Sequence, residues 1–301
     1  MPERRRPRVR TRTHNRPLQG RTVVVTGAAR GLGAALARAF DDRGARLALL
    51  GLEGERLREV AASLHGEPAC WEVDVTDDAA MADTARQVRA RLGPASVVVG
   101  NAGVAAGGPF ADSDPQVWRR VIEVNLIGSA VTARCFLPDL LDTHGYYLQV
   151  ASLAAMGTSP LMSAYCASKA GVESFAHALR AELAHRGVAV GIAYINWTDT
   201  DMIRDADRHA VLRELRGHMP RPARKVYPAA HVAHRLAAAA ERRAASVYVP
   251  GWLRAVQPVR ACLPAVVTYV ARTELPRLER TQRLEATGLL GAGGRADGRY
   301  G

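Results

Sequence analysis

Tyr165 and Lys169 stand four residues apart in the stretch SAYCASKAG. Side chains at i and i+4 share one face of a helix, so a phenol and an ammonium there can serve one site. Such a pair is suited to proton transfer, because a nearby cation favours the phenolate. The spacing also arises by chance, and an accidental surface pair would read the same way. Composition sharpens it. Of the 41 basic residues only Lys169 and Lys225 are lysines. A chain so biased tolerates arginine at almost any solvated cationic position. A lysine kept at 169 points to a task for a compact ammonium on a flexible stem rather than a planar fork.

A second cluster lies near the start. The run TVVVT passes into T-G-A-A-R-G-L-G, residues 26–33, and then into a helical stretch. Gly27, Gly31 and Gly33 allow a tight turn and a close approach of backbone to a pyrophosphate. The free N–H groups and positive dipole end of the following helix favour an anion there. The spacing is G-x-x-x-G-x-G rather than G-x-G-x-x-G. An ordinary strand-to-helix turn is the plainer alternative, but the position directly after a first strand favours the dinucleotide reading.

These residues need a scaffold. Near-continuous apolar runs recur at 22–26, 45–51, 70–75, 96–103, 146–152, 188–195 and 246–250. Unbroken apolar runs mark strands buried on both faces, hence a parallel sheet. Helical stretches lie between them at 32–43, 53–64, 78–92, 115–142, 164–186 and 228–242. The alternation predicts an α/β fold: a single Rossmann-like, doubly wound domain with about seven parallel strands flanked by helices. The domain is expected over 21–250. Residues 1–20, rich in Arg and Pro, are expected to form a disordered basic arm. Residues 251–301 form a C-terminal extension, expected to be partly helical with a mobile, Gly-rich end.

Charge excludes some roles. The net charge is +12, but residues 1–20 carry +6 and 252–301 carry +4, leaving +2 for the domain. A nucleic-acid binder needs a basic face on its fold, so nucleic acid is not an expected partner. Cys70, Cys135, Cys166 and Cys262 lack metal-ligand spacing, so no metal site is expected. They read as reduced thiols in a cytoplasmic protein. No apolar run is long enough to suggest a membrane span.

The ordered set TGAARGLG, Asp74-Val75, NAG at 101–103, Asn125 in VIEVNLIGS, Ser152 in QVASLA and YCASK at 165–169 resembles the short-chain dehydrogenase/reductase family over about residues 20–250. The resemblance implies a nicotinamide cofactor and oxidoreduction of a small-molecule alcohol–carbonyl pair. It implies four catalytic residues. Tyr165 is the general acid/base, and Ser152 hydrogen-bonds the substrate oxygen. Lys169 holds the nicotinamide ribose and lowers the Tyr165 pKa, and Asn125 helps hold a water that links Lys169 to solvent. For the cofactor it implies Gly27, Arg30, Gly31, Leu32 and Gly33 in the turn. Asp74 and Val75 are implied at the adenine, and Asn101, Ala102 and Gly103 at the adenosine-ribose side. Tyr165, Lys169 and Thr200 are implied at the nicotinamide end. The family often has Pro-Gly where this chain has Ile195-Asn196. The family also implies a homo-oligomer, a dimer or tetramer.

The second strand ends at Gly51, where sites for NAD place an acid. Arg30 is available to a 2′-phosphate, so NADP is expected; Glu53 leaves NAD open. The lid, about 197–228, carries Trp197, Met202, Ile203, Met219 and Tyr227. With Met162 and Val104 these predict an apolar cleft, or packing of the lid on the domain. The extension can dock on the domain, cover the cleft, complete an oligomer or lie on an anionic membrane. Pro258 and Pro264 are expected to break any long helix, which favours packing on protein. A non-catalytic dinucleotide-binding regulatory protein on the same fold is the main alternative. A membrane-peripheral oxidoreductase is the other. The intact set Asn125, Ser152, Tyr165 and Lys169 favours an enzyme.

Overall fold

The computed structural model describes residues 17–297. The apolar runs form strands β1 (Thr22–Thr26), β2 (Arg46–Gly51), β3 (Ala69–Glu72), β4 (Ala95–Gly100), β5 (Tyr146–Val150), β6 (Ala189–Ile195) and β7 (Ser246–Val249). They make a seven-stranded parallel sheet in the order β3-β2-β1-β4-β5-β6-β7. β1 shows why the runs are continuous. Val23 and Val25 join the core on one face, and Val24 joins the core on the other. Each buried valine stabilises the fold by about 1.5–3 kcal/mol.

The helices are α1 (Gly31–Asp41), α2 (Gly54–Ala62), α3 (Asp78–Leu92), α4 (Pro115–Ile122), α5 (Gly128–Asp142), α6 (Ser163–Leu183), α7 (Asp201–Ala206), α8 (Ala210–His218) and α9 (Ala229–Glu241). α1 packs on α9, and α3 packs on α5. The predicted helix over 115–142 is continuous but widened by a π turn at Glu123–Ile127. By length and apolar composition it is able to cross a membrane, yet half of its most apolar window is buried inside this domain. The strand order reverses between β1 and β4, opening a crevice at the carboxyl ends of the strands.

The extension departs from expectation. Pro264 sits in the first turn of α10 (Leu263–Thr281), where its missing N–H has no partner to lose. Pro276 lies inside the same helix, so neither it nor Pro264 stops it. The Gly-rich end, expected to be mobile, is packed as far as Asp297. Leu289 pairs with Ala106, α11 (Gly291–Ala296) follows, and Leu290 and Asp297 are buried. At the other terminus the expected arm falls outside the described residues up to position 16, while Leu18 is buried in the core.

Candidate active site

The proton-transfer residues come together where β5 and α6 meet. Ser152 follows β5, and its Oγ accepts from the Ala154 N–H at 3.2 Å. Tyr165 and Lys169 lie on the first turns of α6, with Nζ 5.6 Å from the phenol ring centroid. Lys169 is buried, and its ammonium donates to the Val150 carbonyl at 3.3 Å. Burial lowers the Lys169 pKa to about 8. Burial pushes the Tyr165 phenol up to about 12, opposed by its hydrogen bond with Ser152. Desolvation of the phenolate outweighs what the Ser152 bond returns. A phenol in that state is a proton donor at neutral pH.

Asn125 enters from the π turn, a distortion frequent at functional sites. Its Oδ1 accepts from the Val104 N–H at 2.8 Å, and its Nδ2 donates to the Val104 carbonyl and to Ser168 Oγ, both at 2.9 Å. Ser168 donates in turn to the Tyr165 carbonyl at 2.8 Å. These bonds give Asn125 a structural task beside the water-holding one the resemblance implies. It fixes the wall after Gly103 and, through Ser168, the start of α6.

The glycine turn is a cradle with no room for side chains. Gly27 and Gly31 have φ of +63° and +51°. A Cβ on Gly27 would stand 2.9 Å from Ala102 Cα, and one on Gly33 would collide with the Gly27 carbonyl. A Cβ on Gly31 would press on Thr200 Cγ2 at 3.1 Å, and one on Gly103 on Asn125 Oδ1 at 3.0 Å. Thr26 Oγ1 accepts from the N–H groups of Asn101 and Ala102 at 3.0 and 3.1 Å, pinning the NAG turn beside the cradle.

Asp74 Oδ1 accepts from Thr76 N–H at 2.9 Å and its Oδ2 from Arg120 at 2.7 Å. Burial works against that carboxylate, but the Thr76 and Arg120 bonds outweigh it and hold it below the usual range. Val75 is buried beside Gly128. Arg30 is engaged by carboxylates: both oxygens of Glu53 and, at 3.3 Å, Asp201.

One cavity of about 670 Å³ is lined by every candidate residue except Asn125, which stands behind its wall. Leu32 lines it at the start of α1, between Gly31 and Gly33. Met162, Val104, Trp197, Met202, Ile203 and Met219 line it as expected. Tyr227 does not. Its ring packs on His231 at 6.4 Å between centroids, half-buried against the core. Sequence reading missed Arg120, Asp201 and Asp297, whereas the α10 wall of Leu263, Val266, Val267 and Val270 answers to one of the roles open to the extension, covering the cleft. Only the α10 residues left a signal, an apolar recurrence at helical spacing.

A family model described as short chain dehydrogenase matches residues 21–210. The chain belongs to the short-chain dehydrogenase/reductase family. That places it among NAD(P)-dependent oxidoreductases. A short chain dehydrogenase of Pseudocercospora fijiensis is 32% identical over 69% of this chain and 71% of its own length. An uncharacterized oxidoreductase of Staphylococcus saprophyticus is 31% identical over 63% of this chain and 83% of its own. A crystal structure of a short-chain type dehydrogenase/reductase from Mycobacterium marinum shares the fold, with a TM-score of 0.70 over 77% of this chain and 94% of that one at 22% identity. The family match ends within α8, so α9, β7 and the extension lie beyond it.

Proposed function

We propose that this chain transfers a hydride between NADP(H) and an apolar alcohol–carbonyl pair, with Tyr165 as general acid/base. The observation that carries this reading is the shared cavity lined by Ser152, Tyr165 and Lys169 together with Gly27, Gly31 and Gly33 of the turn. The cradle fits a dinucleotide: Gly27, Gly31 and Gly33 would hold its pyrophosphate at the α1 N-terminus, and Asp74 its adenine. The bound nicotinamide would supply or accept the hydride. The residues do the rest. In reduction Ser152 orients the substrate carbonyl oxygen, and Tyr165 gives that oxygen its proton as the carbon receives the hydride. Lys169 supports the phenolate left behind. In oxidation the same phenolate takes the alcohol proton.

Gly51 and Arg30 support NADP. A specific observation supports the second reading, NAD: Glu53 and Asp201 already claim Arg30, and a 2′-phosphate has to displace them. Catalytic efficiency with NADPH and with NADH tests the choice. NADPH preference is expected, and a strong NADH preference overturns it. The apolar substrate is supported by a wall built from both lid and extension, Trp197, Met202 and Met219 facing Leu263, Val267 and Val270. A panel of ketones and alcohols followed by NADPH absorbance tests it, with rates expected to rise with apolar bulk. Tyr165→Phe is expected to lower turnover by about 10²–10⁴-fold while leaving cofactor binding intact; turnover at the wild-type rate refutes the mechanism. Oligomer formation and a cytoplasmic place belong to the same proposal, supported by the family habit and the unpaired thiols.

A further inference from the structure

The described end of the chain returns to the cofactor half of the cavity. Thr287 N–H donates to the Gly107 carbonyl at 2.9 Å, Thr287 Oγ1 accepts from Gly107 N–H at 2.9 Å, and Leu290 N–H donates to the Ala105 carbonyl at 2.7 Å. This strand-like stretch therefore runs along the segment just after the NAG turn. α11 then sits on α7. Asp205 Oδ2 accepts from Gly291 N–H at 2.8 Å and from Arg295 at 2.9 Å. The approach is close enough that a Cβ on Gly291 would stand 2.8 Å from Met202 Cα.

The last described residue makes the decisive contact. Both oxygens of Asp297 accept from Arg120, at 3.2 Å for Oδ1, and both side chains are almost fully buried. The same guanidinium donates to Asp74 at 2.7 Å and to Thr76 at 2.9 Å. One buried cation thus bridges the tail to the carboxylate placed at the adenine. Gly291, Gly293, Gly294 and Asp297 line the same cavity as Gly27 and Arg30. Gly291 and Gly294 let the tail pack closely on Met202 and Leu289, and a Cβ on Gly293 would meet Arg30 Cδ of the glycine turn at 3.7 Å.

We propose that residues 286–297 are a strap that completes the dinucleotide site, and that Asp297, through Arg120 and Asp74, latches it over the adenosine end. The inference rests on the cofactor reading above. Cofactor leaves when the Asp297–Arg120 pair opens, so the latch sets residence time and leaves the proton-transfer residues untouched.

The test uses the full chain, NADPH and NADH. Release is followed by nicotinamide fluorescence in a displacement experiment, for the wild type, Asp297→Asn and Asp205→Asn. The asparagine at 297 keeps the shape and loses the charge. Release is expected to accelerate by about tenfold or more, the equivalent of ~1.4 kcal/mol, in Asp297→Asn, and by less in Asp205→Asn. Hydrogen exchange of the wild type supplies a reading independent of any variant's folding: amides of 287–296 are expected to gain protection when NADPH binds. Unchanged release in Asp297→Asn together with unchanged exchange overturns the strap while leaving the cofactor reading standing. A wild type that binds neither dinucleotide overturns both.

Discussion

Ser152, Tyr165 and Lys169 are held by neighbours close in sequence and by main-chain bonds, whereas the cover above them adds, to the main-chain bonds of Thr287 and Leu290, ion pairs between residues far apart. Lys169 is placed by one turn of α6 and the Val150 carbonyl. The cover is fastened at its base by Arg260, which donates to both oxygens of Glu173 at 2.6 and 2.7 Å and to the Ala155 carbonyl at 2.7 Å. At its far end it is fastened by Asp297 on Arg120. Glu173 lies one helical turn beyond Lys169, and Ala155 lies in the turn after Ser152, so Arg260 ties the cover to the catalytic corner. The contrast teaches where change should be felt. Substitutions in the corner alter chemistry in a folded protein. Substitutions in the fastenings alter stability and exchange, with the chemistry intact.

The largest expected effect follows from removing the proton donor. Tyr165→Phe should lower kcat by about 10²–10⁴-fold, with the Kd for NADPH from fluorescence titration within a factor of two or so of wild type. A matching loss of cofactor affinity would blur the two regions. Gly33→Ala forces a Cβ into the Gly27 carbonyl. Overpacking of this kind costs ~1–3 kcal/mol, so NADPH affinity should fall by roughly 10–100-fold. Unaltered affinity would show that the turn does not cradle the cofactor.

The pH profile sharpens the comparison further. Lys169 is an ammonium below about 8 and neutral above it. Reductive kcat should therefore fall as pH rises through about 8, approaching tenfold per pH unit, while Tyr165 stays protonated to about 12. In Lys169→Arg the charge persists, so that limb should vanish from a rate already low through poor ribose binding and a misplaced phenol. A limb that stays in place assigns it to another group.

The smallest effect on chemistry should come from Arg260→Met. Among the described residues, Glu173 would keep the Tyr194 hydroxyl as its hydrogen-bond donor, and the loss of Arg260 should cost about 1–3 kcal/mol of stability. Burial opposes the Glu173 carboxylate, but Arg260 and Tyr194 hold its pKa below the usual range. The stabilisation is thus present above the ordinary glutamate pKa and is lost as pH falls through the depressed one. The Tm gap between wild type and variant should be widest near neutral pH and close in acid. A gap that ignores pH would mean that Arg260 acts by packing.

The legible parts were those coded locally. The sheet could be read because strands buried on both faces cannot alternate, as the Val23, Val24 and Val25 run shows. The cradle could be read because only glycine tolerates the Gly27 carbonyl facing Gly33. Lys169 stood out because lysine is scarce here. The fastenings were illegible for the converse reason. Arg120 is one basic residue among 41, and its partner Asp297 is 177 positions away. Pro264 misled because its position in a helix, not its presence, decides whether it breaks one. The glycines of 288–294 read as mobility, when at Gly291 and Gly294 a close approach excludes any larger residue.

The order of synthesis gives the strap a last consequence. β7, the last strand of the sheet, is made before Asp297. Chains grow at ~5–20 residues per second and fold from the N-terminal side. The groove therefore stands unroofed for roughly a few seconds of its first existence. Under the strap proposed above, a dinucleotide already in the cell meets an open trough and is then enclosed as the tail arrives. The first dinucleotide meets no roof, whereas every later one waits for the Asp297–Arg120 pair to open.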